Sequence, residues 1–188
     1  MTLRNTSGRW GAVSQGFHWL TVLLLVAIAS IGLTMGDLPA GIGKIRIYAL
    51  HKSLGLTLLA VVLLRIAWRT YAGAPPPVPG MPRWQQRIAD ISHWSLYALM
   101  LFMPLTGWWL NSTAGFPLQW FGLVDLPSIA ATDEARHELG ETLHELGFWV
   151  LATLVAVHAG AALWHHFVQR DATLLRMLPG RAARAPGP

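Results

Sequence analysis

The hydrophobic and polar positions divide the chain into four long apolar blocks separated by polar or Pro- and Gly-rich segments. Each block is long enough to cross the hydrocarbon core of a bilayer as a helix, which requires about 20 apolar residues. The predicted spans are about residues 15–36, 46–70, 90–111 and 143–168. This pattern predicts an all-α integral membrane four-helix bundle, formed as a single domain over residues 1–188.

The segments around the third span carry strong local signals. Five prolines within residues 75–82 predict a stiff surface linker, and residues 83–90 predict a short interfacial helix that leads into the span. Pro104 lies inside the third span and predicts a kink there. The polar stretch 111–131 is expected to be a loop.

The fourth span is expected to be entered from a helix outside the membrane. Thr132 or Asp133 is a suitable N-cap for that helix. After the span, the basic tail from Gln169 is rich in Ala, Pro and Gly near its end and is expected to fray. The first span has a cleaved signal peptide as its alternative, but its length and the three further spans favour a membrane helix.

The composition strengthens the membrane assignment. The chain is 53% hydrophobic and 12% charged, whereas soluble domains carry about 25% charged residues. It contains no cysteine, which excludes disulfides, iron–sulfur clusters, thiolate zinc sites and covalently attached c-type haem. The net charge of +5 comes from basic residues that flank the spans. Membrane lipid is therefore the expected partner, and nucleic acid is not.

The distribution of basic residues predicts the orientation. One side holds the N-terminus, the linker between the second and third spans, and the C-terminus, with ten of the fourteen basic residues. The other side holds seven of the nine acidic residues. The positive-inside rule therefore places both termini in the cytoplasm. The ten basic residues are Arg4, Arg9, Arg65, Arg69, Arg83, Arg87, Arg170, Arg176, Arg181 and Arg184.

Two histidines of the fourth span are the first candidates for chemistry. His144 and His158 are fourteen residues apart, which corresponds to about 21 Å along a helix axis. Fourteen steps of about 100° return to within roughly 40° of the starting direction, so both face the same side. One is expected near each membrane surface.

Histidines of the first two spans match these two depths. His18 lies near the cytoplasmic end of span one, and His51 lies near the outer end of span two. Depth therefore pairs His18 with His158 and His51 with His144. Two imidazoles from facing helices suit the axial positions of a haem iron, and without cysteine the haem is b-type. Gly55, like Gly147, would leave room for the porphyrin near the backbone.

Other interpretations of these histidines exist. A single intramembrane histidine is often a packed polar residue, although ionisable groups in spans are usually functional. Zinc or another cation is the alternative occupant, but it prefers three or four ligands and the spans offer no carboxylate. A transport path would require acidic residues at mid-depth, and none is present.

The remaining histidines differ from these four. His93 starts span three and has no partner at its depth once His18 and His158 are paired, and His137 is expected to be solvated. His165 and His166 close span four at the inner interface, where anchoring is the simplest role. His165 follows His158 by seven residues on nearly the same face, so it is also a candidate contact for a quinone that exchanges protons.

Short motifs along most of the chain resemble the bacterial cytochrome b561 family, which shares its fold with the cytochrome b subunit of nickel–iron hydrogenases. The motifs are Phe17-His18-Trp19, the run from His51 to Gly55, the fourth-span sequence LHELGFWVLATLVAVHAGAALWHHF, and the tail from Asp171 to Pro179. The resemblance extends roughly from Trp10 to Pro179. It implies a four-helix bundle in the bacterial inner membrane with two b haems.

The resemblance assigns the axial ligands to His18, His51, His144 and His158. It also implies electron transfer between a periplasmic donor and the quinone pool, with ubiquinone as the expected acceptor. Some members resemble superoxide oxidases, whereas others relay electrons for a separate periplasmic redox protein. The chain is therefore expected to be either a superoxide:quinone oxidoreductase or an electron-transfer cytochrome. Lys44, Arg46 and Lys52 could steer superoxide towards His51, or could simply balance the outer acidic residues.

Overall fold

The computed structural model describes residues 2–180, so Arg181, Arg184 and the rest of the tail lie outside the described residues. Over this range the chain is mostly helical. The helices are α1 (Ala12–Met35), α2 (Ile42–Ala72), α3 (Arg83–Thr113) and α4 (Glu134–Trp164), the last followed by one π-helical turn, His165–Gln169. All four are long and apolar enough to cross a membrane, which confirms the predicted membrane bundle.

Each helix packs against its neighbours in the chain, in the order α1, α2, α3 and α4. Within the described residues, no Cα atom of α1 lies within 8 Å of one of α4, so these two helices are not closely packed. A narrow apolar core joins the helices, while large residues such as Leu23 and Val26 face outwards, as expected for helices in lipid. The core residues are Leu24, Leu58, Val61, Val62, Leu96, Tyr97, Met100 and Leu151.

The helix ends differ from the predicted ones in part. α3 begins at Arg83 as one continuous helix, so the interfacial helix predicted at residues 83–90 is its first two turns. The helix also continues through Pro104. The predicted cap of α4 is confirmed, because the side chain of Asp133 accepts a hydrogen bond from the backbone N–H of Arg136 at 2.8 Å.

The loop after α3 contains a two-stranded hairpin that the sequence did not predict. Strand β1 (Leu118–Trp120) pairs antiparallel with β2 (Val124–Leu126). Phe121 and Gly122 both have positive φ in the turn, at 52° and 69°. The hairpin lies along α2, where the backbone N–H of Phe121 donates to Ser53 Oγ at 3.0 Å. We call this end of the bundle the hairpin end.

The opposite end, which we call the terminal end, brings the chain termini together. Trp19 Nε1 donates to the carbonyl of Met177 at 3.0 Å, and Arg9 donates to the carbonyls of Leu178 and Gly180. Arg176 donates to the carbonyl of Pro76 in the linker between α2 and α3 at 2.8 Å. The tail is therefore ordered as far as residue 180, and the prediction that it frays from Gln169 is wrong over that range.

Candidate functional site

Two histidines that were predicted to pair lie close together at the hairpin end of the bundle. His51 on α2 and His144 on α4 are both half-buried, and their ring centroids are 6.4 Å apart with an interplanar angle of 75°. We call them the outer pair. Two imidazoles bound through nitrogen to opposite sides of one metal ion, at about 2 Å each, have centroids roughly 6 Å apart. The observed separation is compatible with that arrangement.

Glycines of the two other helices pack directly on the outer pair. A Cβ atom on Gly32 of α1 would lie 3.1 Å from Cε1 of His51, and one on Gly107 of α3 would lie 3.3 Å from Cε1 of His144. Larger residues at these positions would therefore press on the imidazoles. Both glycines escaped the sequence analysis, because only the rotation of α1 and α3 brings them to the rings.

In each ring of the outer pair, Nδ1 faces a neighbouring helix, α1 for His51 and α3 for His144. His144 Nδ1 lies 3.1 Å from Thr106 Oγ1, and the backbone carbonyl of Met103 also lies near the ring. The ring of His51 reaches the carbonyl of Ile28 in the same way, although its buried Nδ1 has no well-aligned partner. Contacts of this kind orient a metal-binding histidine and leave Nε2 for the metal. The outer pair therefore fits a haem in donor type and spacing, and the contact with Thr106 orients the ring of His144.

Three histidines converge nearer the terminal end. The rings of His93 on α3 and His158 on α4 are 5.4 Å apart, and His18 on α1 is close enough to both for electrostatic interaction. We call these three residues the inner cluster. The expectation that His93 has no partner at its depth is wrong. Counting residues gave the depth of His93, but not the side of α3 from which it projects.

An arginine binds one member of the inner cluster. Arg65 Nη2 donates to His18 Nδ1 at 3.1 Å, and its guanidinium lies 5.3 Å from the ring centroid of Tyr97. Because arginine is always a donor, His18 Nδ1 accepts this hydrogen bond and the proton of the neutral ring is on Nε2. His18 could bind iron through Nε2 only after Arg65 releases Nδ1. The inner cluster thus fits a haem in donor type, but the orientation of His18 differs from that of the outer pair.

The two glycines considered beside the histidines have different surroundings. A Cβ atom on Gly147 would lie 2.9 Å from Met103 Sδ and 2.9 Å from Phe102 Cε1, so this glycine lets α3 and α4 pack closely. Room for a cofactor is therefore not what Gly147 provides. No atom lies within 4 Å of a Cβ built on Gly55, and its predicted contact with a haem stays a prediction.

His165 forms an ion-pair contact in the π-helical turn at the terminal end. Its Nδ1 lies 2.6 Å from Oδ2 of Asp171, and the side chains of both residues are mostly buried. Burial tends to raise the pKa of the Asp171 carboxyl, but hydrogen bonds from Thr173 and His165 outweigh it and hold that pKa below 3.8. Asp171 is therefore ionised near neutral pH and accepts the hydrogen bond from His165.

Metal sites with more protein ligands are not formed in residues 2–180. No group of three or more His, Cys, Asp or Glu side chains in this range has an arrangement that could hold a metal ion. A closed zinc site needs four ligands and a catalytic one three. The outer pair has two imidazoles, the number that the two axial positions of a haem iron take.

Comparison with known proteins adds independent information. A family model described as prokaryotic cytochrome b561 matches residues 9–180. Cytochrome b561 homolog 2 of Escherichia coli K12 is 32% identical over 179 residues, which cover 95% of each chain. Cytochrome b561 homolog 1 of the same organism is 33% identical over 87% of this chain and 93% of its own length. A probable superoxide oxidase, CybB, of Yersinia pestis is 30% identical over 91% of this chain and 96% of its own length.

Proposed function

The chain belongs to the prokaryotic cytochrome b561 family, and we propose that it carries electrons across a bacterial membrane from a donor at the hairpin end to quinone at the terminal end. Family membership confirms the resemblance found in the sequence motifs, and with it a membrane protein of haem-mediated electron transfer. Two b haems, the donor and the quinone are parts of our proposal.

The outer pair is the observation that supports this proposal most strongly. His51 and His144 come from α2 and α4, and their Nδ1 atoms face the neighbouring helices α1 and α3. They would hold one haem through Nε2. His158 and His18 would hold a second haem nearer the terminal end, as the depth pairing predicts. Bound there, the haem irons would accept and release one electron each by changing between the ferric and ferrous states.

The charges of the chain favour electron movement towards the terminal end. Arg65 lies against His18, and Arg69 lies over the rings of Trp94 and Tyr97 at 5.6 and 5.8 Å. Positive charge in a weakly polar interior stabilises an added electron nearby. The two guanidiniums would therefore make the inner site the better electron acceptor.

Superoxide is the donor that the relatives favour, because one of them is named as a probable superoxide oxidase. Each superoxide anion would lose one electron and leave as dioxygen. Lys52 follows His51 in α2, and its Nζ is held 2.9 Å from Asn111 Oδ1 at the end of α3. Lys44 and Arg46 lie in the first turns of the same helix. These three cations would attract a small anion towards the outer pair.

Quinone reduction needs protons as well as electrons, and His165 with Asp171 would provide them at the terminal end. Asp171 accepts from His165 Nδ1, so a protonated His165 would have its Nε2–H free to donate to a quinone carbonyl. Two electrons and two protons convert one quinone to its quinol. Ubiquinone is the expected acceptor, and the positive-inside rule would place this end in the cytoplasm.

The reduction of the purified cytochrome by superoxide tests this function. We expect superoxide to reduce the bound haem in the absence of any other protein, with a rate that falls as salt screens the cationic cluster. Lys52→Gln should lower the rate further at low salt than at high salt. A rate that does not depend on salt would contradict steering by these cations.

The alternative in which the chain relays electrons for a periplasmic redox protein makes a different prediction. In that case the purified chain is inert towards superoxide, and a redox partner co-purifies with it. Haem reduction by superoxide without the partner would exclude this alternative.

A further inference from the structure

The outer pair is not symmetric in its surroundings. α1 and α3 each place a glycine and the carbonyl four residues before it against one ring: Gly32 and Ile28 at His51, and Gly107 and Met103 at His144. The residue before the glycine differs between them. It is Ile31 on α1, whereas on α3 it is Thr106, which is only 7% exposed.

The acceptors around His144 Nδ1, the hydroxyl of Thr106 among them, determine which nitrogen of His144 carries the proton. Thr106 Oγ1 donates its one hydrogen to the carbonyl of Met103 at 2.9 Å. Towards His144 Nδ1, 3.1 Å away, the hydroxyl therefore has only lone pairs to offer. The Met103 carbonyl that also faces the ring is likewise only an acceptor. His144 Nδ1 must then be the donor, and Nε2 carries no proton.

We propose that Thr106 is a positioning residue for the outer haem. Its hydroxyl accepts a hydrogen bond from Nδ1–H of His144, which fixes the ring and keeps Nε2 free as the iron ligand. The inference rests on the proposed function, since it concerns the same haem. A hydrogen bond accepted from the far nitrogen of a ligand imidazole makes the ligand more basic and strengthens its bond to the metal. His51 has no hydroxyl in the equivalent place.

Two matched pairs of proteins isolate the hydroxyl from the size of the side chain. Wild type and Thr106→Val differ by a hydroxyl against a methyl group of similar size. Thr106→Ser and Thr106→Ala both lack the branch methyl and differ only in the hydroxyl. The Ser and Ala pair keeps the test informative if the Val protein accumulates poorly. The outer haem is identified as the one lost in His144→Ala, and the inner haem is the internal reference.

We expect the two proteins without the hydroxyl to bind the outer haem about 10- to 100-fold more weakly, in line with other second-shell changes at metal sites. A less basic ligand stabilises ferric iron less. The midpoint potential of the outer haem should therefore shift to a more positive value in the Thr106→Val and Thr106→Ala proteins. Its ferric low-spin electron paramagnetic resonance signal should shift with it. Thr106→Ser should match wild type in all three measurements, and the inner haem should not change.

Two results would overturn the role of Thr106. One is an outer haem with wild-type affinity, potential and spectrum in both the Thr106→Val and the Thr106→Ala protein. The other is a shift in midpoint potential in Thr106→Ser as large as that in Thr106→Ala, which would assign the effect to packing. If the His144→Ala protein binds as much haem as wild type, the proposed function itself is contradicted, so the two failures are distinguishable.

Discussion

His51 and His144 form one close pair of rings, and His93 and His158 form another. The depths of His51 and His144 were correctly paired by counting residues, because both lie on long regular helices with a fixed rise. The same counting left His93 alone, whereas its ring lies 5.4 Å from His158. Rise along a helix depends on the backbone only, but the contacts of a side chain depend on how neighbouring helices are rotated.

The inner cluster gives a test at the residue scale that separates ligands from neighbours. We expect His158→Ala and His18→Ala each to lose one of two haems, because an axial ligand contributes directly to binding. His93→Ala should keep both and change only the potential or spectrum of the inner haem. Haem content per purified chain is the measurement. Loss of a haem in His93→Ala, with retention in His18→Ala, would assign the ligand role to His93.

Asp171 gives a second residue-scale prediction. Its carboxylate is ionised near neutral pH because its pKa is lowered from 3.8, and it accepts a hydrogen bond from Nδ1 of His165. We expect Asp171→Asn to lower the rate of quinone reduction about tenfold and His165→Ala to lower it roughly 100-fold, since a positioned proton donor contributes about that much. Haem content should be unchanged. Wild-type rates in both variants would place quinone elsewhere.

The stability that the same carboxylate contributes has a definite pH range. A depressed pKa in the folded protein means that the stabilisation is fully present above the ordinary value of 3.8 and is lost as the pH falls through the lower folded value. The contacts of Asp171 with His165 and Thr173 should therefore persist across the neutral range in which activity is measured.

At the scale of elements, the four helices could be predicted and the smaller elements could not. Long apolar blocks give a strong signal for spans, and Asp133 gives a local signal for a cap. The hairpin has strands of three residues and a non-glycine residue, Phe121, with positive φ in its turn. The ordered tail is held by distant partners such as Arg9 and Trp19, which leave no local pattern.

The hairpin lies deeper than an external loop would. Gly32 lies about one turn before the end of α1 and packs at the level of His51. Phe121 donates a hydrogen bond to Ser53, two residues after His51 in α2. The indole of Trp120 reaches Thr57, roughly 9 Å beyond His51 along α2. At the tip, Leu123 is 78% exposed. An apolar tip at this depth is expected to face lipid rather than water.

Labelling of single cysteines tests the position of the hairpin, and the absence of native cysteine makes each introduced one unique. In membrane vesicles, Leu123→Cys should react slowly with a water-soluble maleimide until the membrane is dissolved in denaturing detergent. Ala135→Cys is the matched control, because it is exposed in the first turn of α4 at the same end. Equal labelling rates at both positions in intact vesicles would place the hairpin tip in water.

At the scale of the whole molecule, α4 and the tail that follows it connect the two ends of the bundle. α4 carries His144 for the outer pair and His158 for the inner cluster, and the tail that follows it binds back to α1 at the terminal end. One helix thus contributes to both proposed haem sites, and its extension carries His165 and Asp171. The proposed electron transfer from the hairpin end to the terminal end could therefore take place within a single chain.

The ratio of haem to protein in the purified chain, measured together with the reduced-minus-oxidised spectrum, tests the central claim most directly. The outer pair and the inner cluster together predict two non-covalent haems per chain, each with the bands of a reduced b-type cytochrome. One haem per chain would contradict the inner site, because the outer pair is the one whose separation matches two imidazoles bound to one iron. A chain without haem would contradict the whole account.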